Sequence, residues 1–418
     1  MSNASDQTAT DGSAFGLFSG ELSANPFPLF AQMRSLGAIV PIPLPFGEGT
    51  RQAWMITRLE EAVQVLKDHK RFTVEASSVD TARAGFFRQS AAEASERPGF
   101  IGGASMISVD EPDHMRLRGL VSRAFTPKYI QGLRPRIQQL ADELLDKVQD
   151  QGTMDVVHDY AYPLPINVIS EMLGVPSKNR EQIRTWSEAL ASGGLSQHEE
   201  QAAKIWAFSA YIEQLVAEKR QHLLDDLISQ LIQMEEEGDR LDEAELLSMI
   251  GLLVFAGHET TSNLIGIGTL MLLDHPEQFA KLKADPSLVP SAVEELLRFN
   301  GPVTIPVPRF ATEEVELGGQ HIEKGDVLIV ALHSANRDES QFTQPDELDI
   351  ARHINRHIAF GQGIHICLGA PLARLEGDIA FTTMLRRMPD LRLNVPRDSI
   401  TWRVSSNLRG LIALPVAF

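Results

Sequence analysis

The longest regular stretch of the sequence runs from Asp242 to about Asp274 and reads as one continuous helix. Between Leu246 and Leu273 its only carboxylate is Glu259. At 1.5 Å per residue, such a helix would be roughly 40 Å long, which is the width of a domain. A helix that is apolar on all sides either lies in a large core or crosses a membrane. The run therefore predicts a chain that is organised around one central helix.

A polar segment from Gly257 to Asn263 lies in the middle of this run and argues against a membrane-spanning helix. A lone charge in an apolar helix is costly unless it has a task, so Glu259 is a candidate functional residue. Gly257 is a candidate site for a kink. The alternatives are a surface position for Glu259 and, for the Thr260 hydroxyl, a hydrogen bond to a carbonyl one turn earlier.

The segment from Phe360 to Gly369 contains Cys367, the only cysteine in 418 residues. A single cysteine excludes an internal disulfide and leaves a buried inert thiol, a nucleophile or one thiolate ligand to a metal cofactor. Gly361 and Gly363 permit positive φ angles, so a flat group can approach the chain closely. The residues after Cys367 predict the start of a helix, whose free N–H groups would stabilise a thiolate. Together these features favour a haem-iron ligand.

This segment resembles the haem-binding loop of the cytochromes P450, with the pattern Phe-Gly-x-Gly-x-His-x-Cys-x-Gly. Two further patterns resemble the same family. Ala256 begins Ala-Gly-x-Glu-Thr-Thr, which is similar to the oxygen-activation motif, and Glu295-x-x-Arg298 precedes a meander containing Arg352. The resemblance covers the chain from about Phe27 to its end. It implies a mainly α fold with small β-sheet regions, the cytochrome P450 fold.

The resemblance also implies the roles of individual residues. Cys367 would ligate the iron of haem b, Glu259 and Thr260 would deliver protons to bound oxygen, and Glu295, Arg298 and Arg352 would form a structural cluster. Other residues would contact the cofactor, and four of them, His114, Arg118, Arg309 and His365, would bind its propionates. The remaining cofactor contacts are Ala256, Phe360 and Gly369. The substrate pocket would include Met106, Val254, Thr304, Ile305 and Ser406.

These roles predict a monooxygenase that inserts one atom of O2 into a hydrophobic small molecule such as a polyketide, terpenoid, steroid or fatty acyl compound. A peroxygenase and a haem-based sensor are the alternatives, and the Glu259–Thr260 pair argues against both. Since no reductase domain is present, electrons would come from a ferredoxin or flavodoxin with its own reductase. Arg116, Arg123 and Lys128 are candidates for part of its landing site.

Composition and the N-terminal sequence add further expectations. The formal charge of −18 argues against nucleic acid as a general partner. No signal peptide or membrane anchor is apparent at the N-terminus, so a cytoplasmic location is expected. We expect residues 1–12 to be disordered and residues 13–418 to form a single domain. The loop from Ser77 to Gly103 would cover the substrate pocket, and Ser192–Gly194 is either a lid hinge or an ordinary turn.

Overall fold

The structure is a computed structural model that describes residues 23–44, 51–79, 104–191, 199–236, 241–405 and 407–418. Residues 1–12, nearly all of the loop at 77–103, and the segment 192–194 lie outside these ranges. Helices dominate the described part of the chain, as expected. They are α1 (Phe27–Leu36), α2 (Leu59–Lys67), α3 (Asp113–Ser122), α4 (Pro127–Gly132), α5 (Arg134–Asp146), α6 (Pro163–Leu173), α7 (Arg180–Ala191), α8 (Glu199–Gln221), α9 (Leu227–Glu236), α10 (Glu243–Asp274), α11 (Pro276–Ala284), α12 (Val289–Asn300), α13 (Leu332–Ala335) and α14 (Ala370–Arg387).

The predicted central helix is α10, which packs against α6, α12 and α14. Its N-terminus is fixed by a capping box, in which the Asp242 side chain accepts from the backbone N–H of Glu245 at 2.8 Å and the Glu245 side chain accepts from that of Asp242 at 3.1 Å. The helix continues through Gly257, so the kink considered there does not interrupt it. Among the described helices, none combines the length and apolar character needed to cross a membrane.

The strands form three small sheets at the edges of the helical core. They are β1 (Ile39–Leu44), β2 (Arg51–Ile56), β3 (Phe72–Thr73), β4 (Thr153–Asp155), β5 (Arg309–Ala311), β6 (Val315–Leu317), β7 (Gln320–Ile322), β8 (Val327–Val330), β9 (Arg392–Leu393) and β10 (Pro415–Ala417). The largest sheet has the order β1-β2-β8-β5-β3, with β2 and β8 parallel and the other pairs antiparallel. The second sheet is β4-β10-β9, and β6 and β7 form a hairpin.

Two isolated bridges bring the C-terminal segment back to the centre of the molecule. Val303 pairs with Leu408, and Trp402 pairs with Leu411, both antiparallel. The backbone N–H of Thr304 also donates to the Asn407 carbonyl at 2.8 Å. As a result, residues 402–405 and 407–411 lie beside both the segment that follows α12 and the middle of α10.

Candidate active site

A mainly apolar cavity of about 340 Å³ lies between the cysteine loop and α10. The loop contributes Phe360, His365 and Cys367 to its wall, and α10 contributes Thr260. The cavity also reaches Gly369 and Leu372, in the first turn of α14. Residues that are over 100 positions apart in the sequence therefore share one enclosed space.

The cysteine loop is held in one conformation by hydrogen bonding and by a close approach to α2. The backbone N–H of Cys367 donates to the Phe360 carbonyl at 2.9 Å. Gly363 has φ +74°, and a Cβ there would lie 2.4 Å from the backbone oxygen of Leu66. Only glycine satisfies both constraints, because an L-residue is strained at this φ and its side chain would collide with backbone atoms.

The thiol of Cys367 opens into the cavity, just before α14 begins at Ala370. Burial raises the pKa of Cys367. The backbone N–H groups of Gly369 and Ala370 and the guanidinium of Arg118 act in the opposite direction. The environment therefore contains the donors that a thiolate needs, while a free thiolate remains costly until a positive partner reaches the sulfur.

The guanidinium groups of Arg118 and Arg309 border the cavity, and the imidazole of His114 lies against His365, with little compensation of their charge from the described residues. Burial lowers the pKa of Arg118, and it lowers that of Arg309 to about 10. Arg309 donates to the Val307 carbonyl at 2.7 Å, and the buried Nε2 atom of His114 has no hydrogen-bond partner in the described residues. Burial, followed by the nearby charges of His365 and Arg118, lowers the pKa of His114 to about 4. Such a set of buried donors is suited to an anionic ligand.

His365 is held by Asp110, a residue that lies outside the sequence motifs. The His365 Nε2 and Asp110 Oδ1 atoms are 2.8 Å apart, and the centres of the His114 and His365 rings are 4.4 Å apart. Burial alone would raise the pKa of Asp110, but hydrogen bonds from His365, Thr73 and Val74 together lower it. A carboxylate with several donors anchors the imidazole, so Asp110 fixes the ring that reaches the cavity.

The central helix presents its two candidate residues to different spaces. Thr260 lines the cavity, and its hydroxyl donates to the Ala256 carbonyl at 3.1 Å, which is the local bond considered as the alternative. Glu259 instead borders a separate polar cleft of about 560 Å³. Consecutive residues of a helix are rotated by about 100°, so neighbours in sequence can face two different openings.

Glu259 is buried rather than at the surface, because only 2% of the residue is exposed. Its Oε1 atom lies 2.6 Å from a guanidinium nitrogen of Arg403 and accepts a hydrogen bond from the Asn263 side-chain amide at 3.1 Å. Arg403 also donates to Asn263 Oδ1 at 2.6 Å. One oxygen of the carboxylate is therefore held within a three-residue network that the sequence motifs do not indicate.

The structure brings together the predicted cluster of Glu295, Arg298 and Arg352. Arg298 donates to both Glu295 oxygens at 2.7 Å, and Arg352 donates to Glu295 at 3.0 Å. Arg298 further donates to the backbone carbonyls of Asn336, Pro345 and Glu347, which ties α12 to the meander that precedes the cysteine loop. These contacts fit a structural role.

A second ion-pair cluster supports the aromatic ring of the loop. Glu294, next to Glu295, binds Arg374 at 2.6 Å and His357 at 3.1 Å, and the Arg374 guanidinium lies 4.5 Å from the centre of the Phe360 ring. Burial alone would raise the pKa of Glu294, but the hydrogen bonds from Arg374 and His357 lower it to about 2. The two adjacent glutamates of α12 therefore hold different parts of the same loop.

Three of the predicted substrate contacts, Val254, Thr304 and Ile305, do not line this cavity. Val254 lies in α10 with its side chain buried, and its backbone carbonyl oxygen is 2.7 Å from His258 Nδ1. Thr304 is 5% exposed, and its backbone N–H donates a hydrogen bond to the C-terminal segment. Ile305 is half-buried and packs against apolar side chains of the large sheet and α1. Met106 does line the cavity, together with Ala256, Phe360 and Gly369, whereas Ser406 lies outside the described residues. Apolar side chains that line the cavity and were not predicted are Ile107, Leu252, Leu253, Val303, Pro306 and Val307.

Comparisons with known proteins agree with this geometry. The family model for cytochrome P450 matches residues 166–389. Cytochrome P450 107B1 of Saccharopolyspora erythraea is 45% identical over 366 residues, which are 87% of this chain and 89% of that protein. The polyketide biosynthesis cytochrome P450 PksS of Bacillus subtilis is 42% identical over 95% of this chain and 96% of PksS.

A solved structure extends the likeness to three dimensions. The crystal structure of the myxobacterial cytochrome P450 CYP267B1 in complex with myristic acid matches with a TM-score of 0.87 and 39% identity, covering 96% of this chain and 98% of that one. The expected cytochrome P450 fold is thus confirmed. Because sequence and structure match over nearly the whole chain, the protein belongs to the cytochrome P450 family and is a cytochrome P450 monooxygenase.

Proposed function

We propose that this monooxygenase binds haem b through Cys367 and inserts one atom of O2 into a hydrophobic small molecule. The observation that carries the proposal is the composition of the cavity wall. A thiol at the start of α14, the hydroxyl of Thr260 and the buried guanidinium groups of Arg118 and Arg309 all border one apolar space.

The residues present fit a haem group. Haem carries two propionates. Among the described residues, Arg118 and Arg309 border the cavity without an ion-pair partner, and the Nε2 atom of His114, whose ring lies against His365, has no hydrogen-bond partner. Two carboxylates placed among these groups would supply the missing negative charge through charge-assisted hydrogen bonds. The apolar wall and the ring of Phe360 suit a flat macrocycle. A bound ferric ion would also supply the positive partner that the Cys367 sulfur needs to ionise.

When bound, haem iron with a thiolate ligand supplies the oxygen chemistry, because the thiolate favours O–O cleavage. The chain's own residues supply the remainder. Cys367 would hold the iron. Arg118, Arg309 and His114 would bind the propionates and so orient the macrocycle. Thr260 places a hydroxyl in the cavity, where it can hold and pass a proton, and Glu259 is the nearest acid along the helix. The apolar wall excludes bulk water from this space.

The cavity favours an uncharged, largely apolar substrate. Among the described residues, its charged groups are those assigned above to haem binding, and the rest of the wall is apolar apart from hydroxyl groups such as those of Thr260 and Thr261 and the amide of Gln362. A polyketide, terpenoid, steroid or fatty acyl compound fits this chemistry. One similar protein is named for polyketide biosynthesis, and one structural neighbour was solved with myristic acid. A panel of such compounds, including myristic acid, can be screened by the haem absorbance change on binding.

The ligand assignment is tested by absorbance spectroscopy. The purified protein should contain haem b, and its reduced carbon-monoxide complex should show the red-shifted band of a thiolate ligand. Cys367→Ser should lose that band, because a hydroxyl does not donate the same electron density. Gln362→Asn, in the same loop, is the matched control and should keep it. Survival of the band in Cys367→Ser would refute the assignment.

We further propose that electrons come from a separate ferredoxin or flavodoxin. Of the three cations considered for its landing site, Arg116 is already neutralised by Asp113 at 2.7 Å and Glu245 at 2.6 Å. Arg123 and Lys128 remain as exposed candidates, one at the end of α3 and the other in α4. Reversing both charges should slow reduction of the iron and leave substrate binding unchanged. Unaltered reduction would remove these two residues from the landing site.

A further inference from the structure

We propose that Arg409, near the C-terminus, is a positioning residue that sets how tightly the cavity binds the apolar part of a substrate. It acts through Pro302 and Val303, which line the cavity, and is not itself part of the cavity wall. This role rests on the monooxygenase function proposed above and names a residue that determines its substrate selectivity. Three features carry it: the backbone of the wall, the contacts of the Arg409 guanidinium, and the side chains that hold the preceding carbonyls.

The first feature is the irregular backbone of this part of the wall. Pro302, Val303, Pro306 and Val307 all line the cavity. They lie between α12 and β5, in a segment that forms neither a helix nor a regular strand. Proline has no N–H to donate, so a segment with three prolines at 302, 306 and 308 makes few backbone hydrogen bonds of its own. Its position therefore depends on the groups that hold it from outside.

The C-terminal segment supplies those groups. The backbone N–H of Arg409 donates to the Pro302 carbonyl at 2.8 Å, and Val303 forms the isolated bridge with Leu408. The hydrogen bond from the backbone N–H of Thr304 extends this pairing by one residue. A two-stranded pairing of so few residues is only marginally stable by itself. The wall therefore keeps its place only if the paired C-terminal segment is fixed by other contacts.

The second feature is the Arg409 side chain, which fixes this paired segment. Its Nε atom donates to Asn300 Oδ1 at 2.9 Å, at the end of α12. Its two terminal nitrogens donate to the backbone carbonyls of Ser23 and Ala24, which precede α1. The guanidinium also lies 4.1 Å from the centre of the Trp402 ring. One planar group therefore ties the C-terminal segment both to α12 and to the chain before α1.

Arg409 is buried, and no carboxylate pairs with it among the described residues. Only 3% of the residue is exposed. Burial, followed by the nearby charge of Arg337, lowers the pKa of Arg409 to about 9. A buried charge without a counter-ion is costly, and an apolar side chain would fill the same space at a lower cost. What the guanidinium adds is a rigid fork that reaches three acceptors in fixed directions.

The third feature is a pair of buried side chains that hold the carbonyls before the wall. Arg337 donates to the Phe299 carbonyl at 2.8 Å, and His333 Nε2 lies 2.7 Å from the Gly301 carbonyl oxygen. Arg337 is 5% exposed and His333 1% exposed. Together with the bond to Pro302, the backbone leading into the cavity wall is therefore held at three of four successive carbonyls.

These side chains meet at Phe27, the first residue of α1. The guanidinium groups of Arg337 and Arg409 lie 3.8 and 5.6 Å from the centre of the Phe27 ring, and the centre of the His333 ring lies 5.7 Å from it. A ring that faces several cations is stabilised by cation–π attraction. The wall segment is thus referenced to α1 through Arg409, and loosening Arg409 should let the wall shift.

Arg409→Lys tests this role in the haem-loaded protein, with two ligands that bind haem iron through the same type of nitrogen. Imidazole is too small to fill the cavity, whereas 1-dodecylimidazole adds an apolar tail that must lie along the wall. Lysine keeps the charge but cannot hold three acceptors in a planar fork. The dissociation constant of 1-dodecylimidazole, measured by haem absorbance, should rise about tenfold, which corresponds to about 50–60 Å² of lost apolar contact. The dissociation constant of imidazole should stay unchanged.

The mechanism is tested in the Val303→Ala background, where the wall has lost its side chain. There Arg409→Lys should raise the dissociation constant of 1-dodecylimidazole by clearly less than tenfold, because both changes act on the same contact. Arg34→Lys is the matched control. Arg34 is 4% exposed, but its side chain binds the Ser334 carbonyl at 3.3 Å and Glu339 at 3.1 Å. It should leave the dissociation constants of both ligands as in the parent protein.

Hydrogen exchange is a measurement that needs no haem ligand. Amide exchange in peptides covering residues 299–305 should be faster in Arg409→Lys than in the parent protein and should be unchanged in Arg34→Lys. If Arg409→Lys fails to fold, Asn300→Ala serves, because it removes one acceptor of the guanidinium and keeps the two carbonyls before α1. It should change the same two readouts in the same direction, by a smaller factor.

The role of Arg409 is overturned if 1-dodecylimidazole binds Arg409→Lys as tightly as the parent protein, if imidazole binding weakens equally, or if Arg34→Lys behaves in the same way. An undiminished effect in the Val303→Ala background would also overturn it. Loss of the proposed function looks different. In that case the parent protein itself would lack the thiolate band or bind neither imidazole, while exchange at residues 299–305 would still report on the contact between Arg409 and the wall.

Discussion

The cluster around Glu295 makes the sharpest stability prediction, because both members of its central pair are completely buried. Glu295 and Arg298 each have 0% side-chain exposure. Glu295 accepts hydrogen bonds from Arg298, Arg352, the Asn355 amide and the backbone N–H of Asp349. The substitution Glu295→Gln keeps the size of the side chain but removes its charge. It also replaces one accepting oxygen with an NH2 group, which would face another donor.

The expected cost is about 3–5 kcal/mol, the range for leaving one partner of a buried ion pair uncompensated. Domains are stable by only about 5–15 kcal/mol, so this loss is a large fraction of the total. With a denaturant slope of about 3 kcal/mol per molar urea, the midpoint should fall by about 1–2 M. Fluorescence of the four tryptophans and haem absorbance are the two probes, and they should report the same transition.

Arg134→Gln is the control, because Arg134 forms an ion pair with Asp378 at 2.8 Å whose side chains are 48% and 22% exposed. Exposed pairs contribute about 0–1 kcal/mol, so its midpoint should move by less than about 0.3 M. Equal midpoints for Glu295→Gln and Arg134→Gln would refute the reasoning. They would show that burial of the Glu295 cluster does not translate into stability.

Three further predictions concern the loop and the helix that face the cavity. Thr260→Ala should keep NADPH consumption but release oxygen as peroxide, measured as peroxide formed per NADPH consumed. Thr269→Ala is the control, because it removes a similar hydrogen bond to the Ile265 carbonyl on the same helix, and it should stay coupled. Gly363→Ala should lower the haem content of the purified protein, because the new Cβ would collide with the α2 backbone. Gly319 has a similar φ of +77° but open space around it, so Gly319→Ala should leave the haem content unchanged. The pKa of Glu294 is lowered to about 2, so its stabilising effect should be complete above its ordinary pKa near 4.5 and be lost as pH falls towards 2. The difference in urea midpoint between the parent protein and Glu294→Gln should accordingly shrink from pH 6 to pH 3; a constant difference would contradict the assignment.

The elements that were predictable from sequence are those with local signals. The helix α10 was placed to within a residue at its start, because its cap at Asp242 and its apolar run are both visible in consecutive residues. The start of α14 after Cys367 was placed for the same reason, since Pro371 is tolerated only in a first turn. The hairpin at Gly318–Gly319 also follows from adjacent residues.

Contacts between distant residues could not be found in this way. His365 meets Asp110, which is 255 positions earlier, and Arg403 meets Asn263 across 140 positions. Nothing near Arg403 in the sequence distinguishes it from other arginines, since its contact with Glu259 and Asn263 depends on the space left by Gly410. The position of Val254 outside the cavity wall could not be predicted for a related reason. Leu253 faces the cavity and Val254 does not, and a one-residue difference in helix rotation cannot be read from an apolar run in which every position is hydrophobic.

The division of labour between Glu259 and Thr260 resolves a conflict that the cavity imposes. An apolar substrate favours an uncharged wall, whereas oxygen chemistry needs protons from an acid. If the carboxylate projected into the cavity, it would lose most of its solvation there. With Glu259 on the cleft side, paired with Arg403, the charge stays compensated, and only a neutral hydroxyl faces the substrate. The Thr260 hydroxyl donates its hydrogen bond to the Ala256 carbonyl, so that bond must break before the hydroxyl can donate to another group. Under the proposed function, delivery of a proton to the cavity would therefore require rotation of this one side chain on a rigid helix, whose acid and alcohol are neighbours in sequence and face different spaces.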